Sequence, residues 1–168
     1  MSQQRHKIEN PFLALPNFNC FACGPNHSHG LHLSFFKNGQ SVECELTAEK
    51  AFDGITGILH GGIQSTVLDE VMWWAVFAFK ERFCVTQSMS IDFKGIVRTG
   101  EALLARGEIT EEHRNTVHTR GEILCGSRVL AAARATYFLP NEKLFARAQG
   151  IKVNDLPEIF RRFLKEPA

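Results

Sequence analysis

The segment between residues 62 and 81 is apolar on every side that a helix would present. It reads GIQSTVLDEVMWWAVFAFKE, and its run from Val71 to Phe79 contains no charged side chain. The pattern predicts one long helix, but apolar residues at successive positions leave no face for water. Such a helix is stable only when other parts of the chain surround it. This requirement constrains the fold more than any other feature of the sequence.

Alternating apolar and polar residues predict strands on both sides of this helix. Before it, residues 31–36 and 41–48 flank an Asn-Gly pair, which predicts a β-hairpin. After it, four strands separated by short turns are predicted, over residues 85–97, 101–110, 116–124 and 128–139. Because short turns join antiparallel neighbours, we expect consecutive strands to pair. The sequence therefore predicts an α+β architecture, with an antiparallel sheet curled around one helix.

The two ends of the chain lie outside this pattern. The N-terminal residues are polar and punctuated by prolines, and we expect them to lie extended over the surface. Residues 141–165 are amphipathic with a break at Gly150, which predicts C-terminal helices. The expected divisions are an N-terminal extension, one domain and a C-terminal helical extension, over residues 1–19, 20–140 and 141–168.

Charge and composition argue against a nucleic-acid or membrane partner. The chain has 19 basic and 18 acidic residues and no basic run. Its longest apolar run, from Val71 to Phe79, is far shorter than the roughly 20 residues of a membrane-spanning helix. The first residues lack the apolar core of a secretory signal, and the five cysteines form no obvious disulfide framework. We expect a cytoplasmic protein that binds its ligand in a local pocket.

His60, Gly61 and Gly62 immediately precede the apolar helix. Glycines at this point let a ligand oxygen approach the free N–H groups of the first turn, where the helix dipole favours negative charge. Asp69 lies inside the apolar helix, where an unpaired charge is costly, so it is expected to pair or to do chemistry. The residues alone leave a plainer interpretation open: a tight turn, followed by a buried polar group with satisfied hydrogen bonds.

The distance between Gly61 and Asp69 bears on how a site could be built. The two residues are eight positions apart, or ~12 Å along a helix axis. A single substrate carbonyl cannot contact both on one helix. Two such helices packed antiparallel across a two-fold axis would bring each Gly61 near the other chain's Asp69, which predicts a site shared within a dimer.

These motifs together resemble the thioesterase superfamily of hotdog proteins, especially its phenylacetate-degradation (PaaI-like) and 4-hydroxybenzoyl-CoA thioesterase branches. In that family, His-Gly-Gly is followed by a helix with an acidic residue nine positions after the histidine, as from His60 to Asp69. The stretch VTQSMSIDFKGIVRTGE is similar to the family strand that carries a hydroxyl residue near its start and Gly-Glu at its end. The resemblance covers most of residues 20–139 and implies the hotdog fold.

The resemblance implies an acyl-CoA thioesterase in which the Gly61 N–H polarises the thioester carbonyl. Asp69 is then the nucleophile or the general base toward water, Thr86 helps to hold that water, and His60 shapes the turn and contacts the thioester. The acid and the glycine come from different subunits of a homodimer or a dimer of dimers. Glu70 is the rival acid, but it points ~100° away from its neighbour, and the spacing favours Asp69.

Further substrate contacts are expected around the same loop. Gly62 belongs to the motif itself, and Gly54 stands where many relatives have an asparagine six residues before the histidine. Either the adjacent Asp53 substitutes for that asparagine, or the loop resembles a branch that keeps glycine. The candidates for the phosphates of coenzyme A are the basic residues Lys94, Arg98 and Arg114.

A metal or redox cofactor is not expected, because a thioester is already an activated acyl group. Cys20 and Cys23, with His27, His29 and His32, have the ligand types of a zinc site, although their spacing is tight. We interpret the Cys-x-x-Cys instead as a structural lead-in to the first strand, as in some thioesterase relatives. Two other functions on the same fold remain as alternatives: a hydratase or dehydratase, and a non-catalytic acyl-CoA-binding module.

Overall fold

The hairpin, the long helix and the four strands after it occur in the predicted order, together with short strands that the sequence did not predict. A computed structural model describes residues 5–165. The first strands are β1 (His6–Lys7), β2 (Phe36–Asn38), β3 (Ser41–Thr47), β4 (Asp53–Ile55) and β5 (Ile58–Leu59). Helix α1 (Gly61–Lys80) comes next, followed by β6 (Val85–Phe93), β7 (Ala102–His113), β8 (Thr116–Cys125) and β9 (Arg128–Phe138). Helices α2 (Glu142–Gln149) and α3 (Glu158–Leu164) end the described part.

One antiparallel sheet wraps around α1. Its seven strands lie in the order β1-β2-β3-β7-β8-β9-β6, while β4 and β5 form a separate small hairpin. Register shifts interrupt three of the long pairings, and such bulges bend the strands around the helix. The predicted arrangement, one long helix inside a curled antiparallel sheet, is confirmed.

Two glycines let the helix lie close to the middle of the sheet. Gly107 on β7 and Gly121 on β8 are paired directly opposite each other. A Cβ on Gly107 would lie 2.6 Å from the carbonyl oxygen of Val71, and one on Gly121 would lie 2.9 Å from the Met72 side chain. Any larger residue would push α1 away from the sheet at this crossing.

The position of β6 differs from the prediction. We expected it to pair with the next strand, β7, but it pairs with β9 from Val85↔Phe138 to Phe93↔Ala131 and lies at the end of the sheet. The strand ends at Phe93, and residues 94–101 are too long a connection for a tight hairpin turn. This connection passes the start of α1, where the Leu59 N–H donates to the Val97 carbonyl at 2.9 Å.

One residue of the N-terminal segment, Phe12, is buried, whereas we expected the segment to lie on the surface. Phe12, in a short 3-10 turn over Pro11–Ala14, is only 5% exposed. Its ring lies within 6.0 Å, centroid to centroid, of five other aromatic rings, those of Trp73, Phe77, Phe83, Phe160 and Phe163. The expectation of a surface segment is therefore wrong at Phe12, and for residues 1–4 it lies outside the described residues.

The C-terminal helices agree with the predicted pattern. Asn141 caps α2 by accepting from the Leu144 N–H at 2.9 Å, and Gly150 ends this helix with a φ of 69°. The predicted break at Gly150 is confirmed. None of the helices within residues 5–165 is long and apolar enough to cross a membrane.

Replacing Phe12 with alanine should lower the free energy of unfolding by about 3–5 kcal/mol, the usual cost of deleting a buried phenyl ring. The neighbouring Leu13 is 51% exposed, so Leu13→Ala is the matched control and should cost far less. Urea denaturation of both variants would measure the difference. Equal losses for the two variants would show that Phe12 does not contribute as a core residue.

Candidate functional site

The start of α1 is built around the His60 ring. His60 is the N-cap, and its Nδ1 accepts the Gly62 N–H at 2.9 Å, so the proton of the neutral ring is on Nε2. A Cβ on Gly62 would lie 3.0 Å from that same Nδ1. The absence of a side chain at position 62 is therefore explained by the cap within the chain itself.

No contact within the described residues explains why position 61 is a glycine. Its backbone is helical, and a Cβ built on it would meet only the Phe93 ring, at an ordinary contact distance of 3.6 Å. Within residues 5–165, its N–H has no hydrogen-bond acceptor. The amide lies at the positive end of the helix dipole, so the geometry leaves it available to an oxygen from outside the chain.

Gly54 and Asp53 support this turn from β4. A Cβ on Gly54 would lie 3.0 Å from His60 Cδ2, so the glycine leaves room for the imidazole. Asp53 Oδ2 accepts the Gly57 N–H at 2.8 Å and closes the tight turn between β4 and β5. Asp53 is thus bonded within the turn, and the absence of a side chain at position 54 leaves room for His60.

Asp69 is held by two hydroxyl groups. Thr86 Oγ1 donates to Asp69 Oδ1 at 2.9 Å, and the Tyr137 hydroxyl lies 2.8 Å from both Oδ1 and the backbone carbonyl oxygen of Asp69. The second carboxylate oxygen, Oδ2, receives no hydrogen bond from any residue that the structure describes. One oxygen thus fixes the orientation of the side chain and leaves the other free for a ligand or a water molecule.

Sequence reasoning did not identify Tyr137. It is the single tyrosine of the chain, is completely buried, and lies directly opposite Thr86 in the β6–β9 pairing. Burial and the adjacent Asp69 raise the pKa of Tyr137, so the phenol keeps its proton and remains a donor. The sequence alone does not point to Tyr137. Its pairing with Thr86 depends on the strand order, which the structure shows.

Glu70 lies on a different side of α1 from Asp69. Its Oε2 accepts the Trp74 Nε1–H at 3.2 Å, and its carboxylate lies near the thiols of Cys20 and Cys23. Burial, with negative charge at Cys20 and Asp69 adding to the effect, raises the pKa of Glu70 to about 8. The two adjacent carboxylates therefore face separate environments.

The histidines near Cys20 and Cys23 do not form a Cys2His2 cluster. His32 Nδ1 lies 3.0 Å from the Gly24 carbonyl oxygen, His29 Nδ1 is bonded to Ser28, and His27 Nδ1 accepts the His29 N–H. The zinc interpretation that we considered from the sequence is wrong in its choice of these histidines. The third metal-ligating side chain beside the two thiols is Glu70.

The site residues fall into two groups within one chain. Helix α1 is uninterrupted, so Gly61 and Asp69 remain ~12 Å apart along it. Exposed Lys94 and Arg98 lie on the Gly61 side, because Lys94 follows β6 directly and Arg98 forms a bridge with Ile58.

Arg114 lies on the other side, with Asp69. It is in the turn between β7 and β8, and the first residues of β8 and β6 both pair with the last residue of β9. The structure therefore brings Gly61 together with Lys94 and Arg98, and Asp69 with Thr86, Tyr137 and the Arg114 turn. It does not bring these two groups together in a single chain.

Comparison with known proteins shows which family the middle of the chain resembles. A model of the thioesterase superfamily matches residues 56–132, which include α1 and most of the long strands. No curated protein sequence matches the chain.

Several solved structures are similar in fold. A thioesterase superfamily protein has a TM-score of 0.66 at 19% identity over 71% of this chain, which spans 59% of that protein's length. A putative thioesterase from Ralstonia eutropha, related to phenylacetic acid degradation, gives 0.60 at 24% identity, over 65% of this chain and 86% of the other. A hypothetical thioesterase from Streptococcus pneumoniae, solved with coenzyme A, gives 0.57 at 22% identity over 60% and 81%.

The family model covers the His-Gly-Gly turn, the helix with Asp69 and the strand with Thr86. The solved structures share the curled sheet around a single helix. Residues 56–132 therefore resemble the thioesterase superfamily, and the chain has the hotdog fold of the solved structures of that superfamily.

Proposed function

We propose that the protein hydrolyses an acyl-CoA thioester to a free acid and coenzyme A. The observation that carries the proposal is the state of Asp69: one carboxylate oxygen is held by Thr86 and Tyr137, while the other is unpaired. A carboxylate fixed in this way is suited to activate water or to attack a carbonyl. The coenzyme A in the Streptococcus pneumoniae relative supports the choice of substrate class.

The proposed reaction uses two groups from different chains. The thioester carbonyl oxygen accepts the Gly61 N–H, which stabilises the negative charge that develops on this oxygen. Asp69 of the partner subunit either removes a proton from water, which then adds to the carbonyl carbon, or adds to that carbon directly. Collapse of the tetrahedral intermediate expels the coenzyme A thiolate. In the second route, water then hydrolyses the acyl-aspartate.

The free edge of β6 supports a dimer with this geometry. Its outer side has no partner strand within residues 5–165, and its two ends carry exposed apolar side chains, Val85 at 41% and Phe93 at 55%. An unpaired edge of this length is a template for another strand. Pairing of two β6 strands about an axis between Met89 and Ser90 would set Thr86 of one chain opposite Phe93 of the other.

This pairing would also complete a site for the substrate's phosphates. Phe93 contacts Gly61, and Thr86 contacts Asp69, so each end of the β6 pair would join one chain's amide to the other chain's carboxylate. Lys94 and Arg98 of one chain would then lie at the same end as the turn that carries Arg114 of the partner subunit. Three cations at one end suit the phosphates of coenzyme A.

A thiol-release assay over acyl-CoA substrates of different chain length and with aromatic acyl groups tests the proposed function directly. Hydrolysis releases one free thiol for each substrate molecule, whereas a hydratase changes the enoyl absorbance and a binding module does neither. Binding of acyl-CoA without thiol release from any substrate would contradict the proposal.

Asp69→Asn should lower kcat by at least ~100-fold, the low end of the contribution of a positioned base, and should leave substrate binding intact. Asp155→Asn, an exposed change in the C-terminal region, is the matched control and should have no effect. Steady-state kinetics with a calorimetric binding measurement would separate the two effects. An inactive Glu70→Gln protein beside a fully active Asp69→Asn protein would show that the wrong carboxylate has been chosen.

Tyr137→Phe should lower kcat about 10-fold, or ~1.4 kcal/mol, with little change in KM. The reason is that the phenol acts on the substrate only through the orientation of Asp69, so its loss affects the chemical step more than binding. Kinetics and the thermal midpoint should be measured together. An unchanged kcat in a folded variant would exclude a positioning role for this hydroxyl.

Two inactive variants should restore each other's activity if the site is shared. In Gly61→Val the side chain blocks the proposed oxyanion position, and Asp69→Asn removes the base. A mixed dimer of the two has one site with both faults and one with neither. With random pairing, an equal mixture should recover up to about a quarter of the wild-type activity per chain.

Subunit exchange in that mixture should be verified by native mass spectrometry. Confirmed exchange with activity at the level of the parent variants would refute the two-subunit site while leaving the thioesterase activity itself to the thiol-release assay.

A further inference from the structure

Two thiols and a carboxylate meet beside α1, outside the groups used in the proposed hydrolysis. One ligand atom each from Cys20, Cys23 and Glu70 lies within 4.8 Å of the other two. The cysteines come from the connection between β1 and β2, and the glutamate from the middle of the buried helix. The fold therefore brings the two cysteines together with a glutamate that follows them by about fifty residues of sequence.

The loop that carries the two cysteines forms a tight, hydrogen-bonded turn. The Cys23 N–H donates to Cys20 Sγ at 3.4 Å, and the Gly24 N–H donates to the Cys20 carbonyl at 2.8 Å. A Cβ on Gly24 would lie 2.5 Å from that carbonyl oxygen, so the turn requires glycine. Backbone N–H groups that point at a cysteine sulfur stabilise its thiolate form, which is the form that binds metals.

The surroundings of the cluster also orient the other ligand atoms. Asn10 Nδ2 lies 3.8 Å from Cys23 Sγ, and the Trp74 Nε1–H donates to Glu70 Oε2 at 3.2 Å. Outer donors that fix each ligand are a regular feature of metal sites.

We propose that Cys20, Cys23 and Glu70 bind a zinc ion. Two thiolates and one carboxylate are ligands that Zn²⁺ accepts in tetrahedral geometry. With Zn–S bonds of about 2.3 Å, two sulfurs in such a site lie roughly 3.8 Å apart, so the cluster needs to contract by about 1 Å at most. This inference revises our sequence-based expectation of no metal, since only the fold brings Glu70 to the cysteines.

The three proposed ligands lie at the wall of a cavity of about 290 Å³. Cys20, Cys23 and Glu70 line it together with aromatic side chains, among them Phe12 and Trp73. A water molecule in the cavity would supply the fourth ligand. The ion would tie the N-terminal loop to α1 at the residue next to Asp69, and the proposed hydrolysis does not use it.

Metal analysis of protein purified from zinc-supplemented cells tests the site. The wild type should contain about one zinc per chain, and Cys20→Ser, Cys23→Ser and Glu70→Gln should each retain less than about a tenth of it. Cys125→Ser is the matched control, because Cys125 Sγ also lies near a carboxylate, that of Glu101 at 3.7 Å, yet belongs to no cluster of three. This variant should keep the full zinc content.

Cobalt substitution keeps the test valid if a cysteine variant fails to fold. Wild-type protein stripped of metal and titrated with Co²⁺ should develop sulfur-to-cobalt charge-transfer absorption and the visible bands of a tetrahedral ion. Glu70→Gln retains the side-chain volume and an oxygen for Trp74, so its folding can be verified by circular dichroism. Folded wild-type protein without zinc, a Cys20–Cys23 disulfide in its mass spectrum, or full zinc in Glu70→Gln would each overturn the proposal.

Discussion

The burial of α1 on all sides determines how the rest of the chain is arranged. Residues such as Val71, Trp74 and Val76 are at most 2% exposed, and each large apolar side chain buried in this way contributes about 1.5–3 kcal/mol. The sheet covers one side of the helix, and the glycine pair of β7 and β8 lets the two backbones come close. The other side is covered by the aromatic residues of the terminal segments, chiefly Phe12 and Phe163.

The same helix determines the spacing of the candidate site. A rigid helix keeps its N-terminal amide and a carboxylate two turns later at a constant separation, too great for one carbonyl group. At each end of β6, one chain has either the amide or the carboxylate. A second chain, paired antiparallel through its own β6, would supply the other group. Because α1 is rigid and carries both Gly61 and Asp69, the proposed reaction requires a dimer.

The features that sequence reasoning predicted well are those with a local cause. The limits of α1, the Asn-Gly hairpin and the break at Gly150 follow from periodicity and turn chemistry within a few residues. The resemblance to the family implied that Thr86 holds the water that Asp69 activates, whereas in the structure the Thr86 hydroxyl donates to the Asp69 carboxylate itself.

The features that it missed depend on contacts between distant parts of the chain. The place of β6 beside β9 decides that Tyr137 meets Asp69, and no local pattern contains that order. The same is true of Glu70 beside the two thiols. Phe12 lies in a short segment without periodicity, so its burial has no signature in the sequence.

The position of Phe12 has a consequence for the order of events during synthesis. Its ring lies between side chains of α1 and of α3, the last helix of the described chain. A contact that spans almost the whole chain closes late, because its loop-closure entropy is lost before any packing energy is gained. On the ribosome, the first large apolar side chain of the core therefore stays without its full set of neighbours until α3 has left the exit tunnel.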